Sequence, residues 1–94
     1  MSVNIYPAHI DADKHVVHAD NWEDESTLNI ANGNFYWLTE AMGIDKQITE
    51  VPGTMKLKAL EEALDKSPHT GYTERLRKIC AIARIKRVNL IAFS

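Results

Sequence analysis

Ninety-four residues, 45% of them apolar and 26% charged, fit one globular core; they exclude a disordered chain and leave too little surface to divide between two cores. The formal net charge of −2 conceals an asymmetry: residues 1–50 carry nine acids against two bases and residues 51–94 four acids against nine bases, so the halves stand at about −7 and +5. A fold that brings the halves together cancels most of this field, whereas a fold that keeps them apart presents one acidic and one basic face.

The run Val3 to Ile10, the polar segment Asp11 to Lys14 and the run His15 to Ala19 read as strand, turn, strand, that is, a β-hairpin. Pro7 lacks a ladder donor and suits an edge position. Asp20 to Ser26 has turn-forming residues and no periodicity, and Trp22 is its only large apolar group, so an exposed acidic connection is expected there. A first helix is expected from about Ile30 to Met42, with Asn29 as N-cap and Gly43 just past its end. Phe35, Leu38 and Met42 share one face, and Trp37 and Ala41 widen it towards a second helix. Gly33 there implies either close packing or a helix start nearer Asn34.

After a loop with Pro52 and Gly53, Thr54 is placed to cap a second helix running to about Lys66, striped by Leu57, Leu60 and Leu64. Lys58, Glu62 and Lys66 sit at i,i+4 on its solvated side. Tyr72, Leu76, Ile79 and Ala83 keep helical spacing through a third helix, from Gly71 or Tyr72 to Arg87. That helix is also apolar off its stripe, at Cys80, Ile82 and Ile85, which implies burial on two sides or self-association. Asn89 to Ser94 reads as a closing strand beside the hairpin, completing a three-stranded sheet. The fold class is therefore α+β, a single domain with hairpin and C-terminal strand packed on about three helices; a mostly α fold is the alternative.

The longest purely apolar runs, near Ile79 to Ala83 and Leu90 to Phe93, fall far short of the ~20 residues that cross a bilayer. The single cysteine, Cys80, cannot form an internal disulfide, and the amino terminus lacks a basic region followed by an apolar stretch, so a cytoplasmic protein with no membrane contact is expected.

His9, His15 and His18 interleave with Asp11, Asp13 and Asp20, residue types that hold zinc or iron. A two-residue hairpin loop puts His9 and His18 on one face and a three-residue loop puts His9 and His15 there, so at most two imidazoles converge and no metal is expected. Cys80 lies beside an apolar stripe with no histidine to activate it, and no catalytic residue is assigned. Arg75, Arg77, Lys78, Arg84, Lys86 and Arg87 make the third helix basic, but the last three suit its C-terminal dipole and the others spread around the wheel, so nucleic acid is not an expected partner. Asn29, Asn32 and Asn34 gather at a helix start, where asparagines cap and where amides also bind anions.

The run LNIANGNFYWLTEAMGI, the loop with Pro52 and Gly53, the leucine helix, YTERLRKICAIA and the closing strand together resemble a loose set of small bacterial and phage proteins of no known activity, over roughly residues 27 to 93. The resemblance implies no cofactor and no reaction. No phosphate-binding loop, zinc-protease helix or nucleophile elbow is present either.

The leading expectation is a non-enzymatic protein-interaction module, of the kind a phage uses to inhibit a host protein, engaging a basic partner through Asp20, Trp22, Glu23, Asp24 and Glu25. The alternative is an oligomer that binds a small ligand or nucleotide through Asn32, Asn34 and Arg75.

Overall fold

The computed structural model describes residues 2–20, 22, 24–44 and 53–94. In it five antiparallel strands form one sheet, and three helices cover one of its faces. Strand β1 (Ser2–Ile10) is the spine. Its second half pairs with β2 (Val16–His18), its first half with β3 (Leu28–Ala31), and its other edge with β5 (Leu90–Phe93), which in turn pairs with β4 (Gly53–Lys56).

Pro7 thus lies in a central strand and not at an edge. Its carbonyl accepts from the Ala19 amide at 2.9 Å, so its nitrogen faces the same side, in the gap between the β3 pairing, which stops at Ile5, and the β2 pairing, which starts at Ala8. The Ala19 amide makes the one bond of that pair, and the return bond from a Pro7 N–H is absent, at a point where neither β2 nor β3 pairing runs on.

The hairpin closes through three residues. Asp11 donates its amide to the His15 carbonyl at 3.0 Å, the Lys14 amide bonds the Asp11 carbonyl, and Lys14 takes a left-handed φ of 63°. This is a tight turn closed by a bulge, one of the common hairpin solutions.

Two expected helix starts are strands instead. Leu28 and Ile30 are buried while Asn29 and Ala31 are exposed, a period of two that pairs LNIA with β1. Asn29 therefore does not cap the first helix; its Nδ2 donates across the sheet to Asn4 Oδ1 at 2.8 Å and Ser2 Oγ at 3.0 Å. Helix α1 spans Asn32–Ala41 behind Ala31, and Gly33 sits in its first turn with open space around it, so neither close packing nor a later start explains that glycine. Thr54 likewise lies in β4, and α2 (Leu57–Asp65) follows Lys56 directly. The expected loop residue Pro52 lies outside the described residues.

The apolar stripes fall where spacing put them. Phe35, Leu38 and Met42 from α1, Leu57, Leu60 and Leu64 from α2, and Leu76, Ile79, Cys80 and Ala83 from α3 (Gly71–Ile85) meet Val3, Ile5, Leu28, Ile30, Met55, Ile91 and Phe93 from the sheet. Phe35 and Phe93 meet within it at a tilt of 52°, ring centroids 5.7 Å apart. Gly43 takes the left-handed φ of 69° that ends α1. Trp37 and Ala41, by contrast, are exposed and do not widen the buried face.

Helix α3 starts on a reciprocal cap. The Thr73 amide donates to Thr70 Oγ1, and the Thr70 amide donates to Thr73 Oγ1. It ends at Ile85, two residues short of Arg87, and Ile85 is 77% exposed. No helix among the described residues is long and apolar enough to cross a membrane.

Candidate functional site

Among the described residues, no helix or second sheet covers the sheet face away from the helices. A small cluster of Tyr6, Ala8 and Ala92 is buried there, and what covers it is aromatic. The register sets Ala8 opposite His18, so His18 lies diagonally next to Tyr6, and the two rings stack at 4.7 Å and 7°. Trp22 closes the group from the following turn, 4.5 Å from Tyr6 and 4.8 Å, edge-on, from His18. Tyr6 retains 4% exposure beneath this cover, whereas Trp22 keeps 56% of its surface in solvent. One ring is therefore both fixed and available.

A dense set of polar contacts holds the turn that carries Trp22. The Asp20 amide donates to His18 Nδ1 at 3.0 Å, and His18 Nε2 bonds Thr27 Oγ1 at 2.7 Å. The Asp20 carboxylate is held below its usual range first by the Ser26 hydroxyl and then by Lys86 of α3, whose Nζ stands 3.3 Å away. Arg75 of α3 donates through Nη2 to the Thr27 carbonyl at 3.0 Å. Burial pulls the His18 imidazole below its ordinary pKa, against a smaller pull upward from Asp20.

Beside this cover runs a groove of about 330 Å³, lined by Tyr6, Val16, Thr54, Ala92 and Ser94 among others. The Ser94 hydroxyl donates to Tyr6 Oη at 3.4 Å.

The expected interaction residues divide. Asp20 and Trp22 are built into the aromatic turn, while Asp24 and Glu25 belong to the short 3-10 turn Asp24–Ser26, with Glu25 exposed. Glu23 lies outside the described residues. Of the residues of the alternative ligand site, Arg75 donates to the Thr27 carbonyl, Asn34 donates to Tyr72 Oη at 3.3 Å, and Asn32 opens α1. Tyr6 and His18 were not singled out as interaction residues by sequence. The alternation that puts Tyr6 and Ala8 on the face opposite Ile5 was the available signal, but only the hairpin register places His18 beside Tyr6.

The basic side chains of α3 largely serve the fold. Besides Arg75 and Lys86, Arg77 donates to the Leu64 carbonyl at 2.7 Å, and Arg84 Nε donates to Glu61 Oε2 at 3.1 Å with a second bond from Nη2 to the same carboxylate. His69 and Arg77 flank Glu74 and hold its carboxyl below the usual range. The acidic and basic halves thus meet at Asp20–Lys86, while Arg84–Glu61 ties α3 to α2 within the second half.

Cys80 lines a groove of about 490 Å³ between α2 and α3, where burial pushes its thiol up to about 12. A thiol so shifted stays protonated near neutrality. The three-residue hairpin loop separates His9 from His18 and draws Asp11, Asp13 and His15 together, their ligand atoms within 4.8 Å of one another. The Asp11 carboxylate is already an acceptor there for the Asp13 and His15 amides, at 2.9 and 2.8 Å.

No family model matches the chain, and neither a curated protein nor a solved structure matches it.

Proposed function

We propose that the protein is a non-enzymatic protein-interaction module, acting in the cytoplasm, whose contact centre is Trp22 on the open face of the sheet. The observation that carries this reading is the seating of Trp22: it is 56% exposed, yet fixed on Tyr6 and His18. An aromatic side chain held in place before binding loses little rotamer freedom on contact, and such rings dominate interface energetics. Exposed Glu25 in the 3-10 turn that follows, with the acidic sequence Glu23-Asp24, favours a basic partner surface. A phage-encoded inhibitor of a host protein is a role of this kind.

The test compares capture of partners by the wild-type protein and by a Trp22→Ala/Glu23→Lys variant. The reading predicts a partner retained at low salt, released at high salt and lost with the double variant. Equal retention by the variant overturns it.

A second reading, binding of a small ligand, is supported by the groove beside Tyr6, whose volume of about 330 Å³ falls within the range of small-molecule sites. It predicts that some small molecule raises the melting temperature of the isolated protein and that Thr54→Trp, which fills the groove, abolishes the rise. Self-association, which the 77% exposed Ile85 at the end of α3 would favour, is checked by sedimentation of wild type and Ile85→Glu.

A further inference from the structure

His18 is bonded at both ring nitrogens, and the two bonds differ in kind. A backbone amide can only donate, so Nδ1, which receives the Asp20 amide at 3.0 Å, must carry a lone pair. The ring proton of the neutral form is therefore on Nε2, which donates to Thr27 Oγ1 at 2.7 Å. A second proton has one place to go. It binds the Nδ1 lone pair and sets an N–H against the Asp20 N–H, two donors facing each other across the contact that anchors the start of the Trp22 turn.

We propose that His18 is a proton-operated latch: protonation at Nδ1 removes the acceptor for the Asp20 amide, and the turn swings Trp22 away from Tyr6, uncovering the apolar cluster of Tyr6, Ala8 and Ala92.

The groups that face His18 act in both directions. The Asp20 carboxylate favours the imidazolium, as does stacking on the Tyr6 ring from β1. Asp20 is itself engaged by Ser26 and by Lys86 from α3, whose ammonium offsets part of that attraction. Burial between Tyr6 and Trp22 and the opposed Asp20 amide favour the neutral ring, and the imidazole accordingly sits below its ordinary range. The latch is closed at neutral pH and opens on acidification, below the pH at which an ordinary imidazole titrates.

The biological use of the latch, switching the contact surface, rests on the reading of Trp22 as the contact residue; the latch itself does not. It is tested on the free protein carrying Trp37→Phe, so that Trp22 is the sole indole. Between about pH 8 and pH 5, acrylamide quenching of Trp22, already 56% exposed, should rise by up to about twofold in a step whose midpoint lies below about 6.5. The Asp20 amide, followed by NMR, should shift and lose exchange protection with the same midpoint as the His18 ring. The same protein with His18→Gln should show no step. Unchanged quenching and Asp20 protection down to pH 5 overturn the proposal, as does a step that persists without His18. A negative result here leaves partner binding through Trp22 standing, and failed capture leaves the latch standing.

Discussion

Trp22 and Trp37 expose nearly the same fraction of their surface, 56% and 57%, in opposite settings. Trp37 projects from α1 with no ring partner among the described residues, whereas Trp22 rests on Tyr6 and His18 in a turn fastened to α3. Exposure alone would rank them equal. What separates them is order: one indole is prepared for contact, and the other must be immobilised by whatever touches it. The sheet that carries Trp22 has the same two-sided character. Its helix-covered face buries Val3, Ile5, Ile91 and Phe93 under three helices, and its other face, among the described residues, hides the small cluster of Tyr6, Ala8 and Ala92 beneath a cover of single rings.

If the helix-covered face carries the stability, Phe35→Ala, which empties its centre, should cost about 3–5 kcal/mol in urea unfolding. Trp22→Ala should cost about 1 kcal/mol, the scale of an aromatic pair with partial burial, while Trp37→Ala stays within about 0.5 kcal/mol of wild type. Equal costs for the two tryptophans would erase the distinction between them.

Acidification should sharpen the comparison. The folded His18 has a pKa below that of the unfolded chain, so above about 6.5 both states are neutral and its contribution to stability is constant. As pH falls from there towards the folded pKa, the unfolded state takes up more protons and stability declines. His18→Gln should flatten that part of the pH profile. The smallest effect belongs to Gly33→Ala: nothing lies within 4 Å of the added methyl, and α1 should gain up to about 1 kcal/mol.

Much of the fold was legible in the sequence wherever one residue pattern decides the structure. The stripes Leu57/Leu60/Leu64 and Leu76/Ile79/Ala83, the hairpin and the closing strand all follow from local periodicity. Strands β3 and β4 did not. Each is four residues long, each runs directly into a helix, and each has its partner far off in the chain, so cap-like Asn29 and Thr54 outweighed a brief alternation. The candidate site was half legible. Trp22 stood out as the lone large apolar residue in an acidic stretch, but its seat depends on Ala8 pairing with His18, a register that two loop lengths left open.

The central claim is that Trp22, by virtue of that seat, is where a partner binds. The most direct measurement is the affinity of one captured partner for Trp22→Ala and Trp37→Ala, determined side by side. The account predicts at least a tenfold loss for Trp22→Ala and no change for Trp37→Ala; an unchanged affinity for Trp22→Ala, or an equal loss for both, would contradict it.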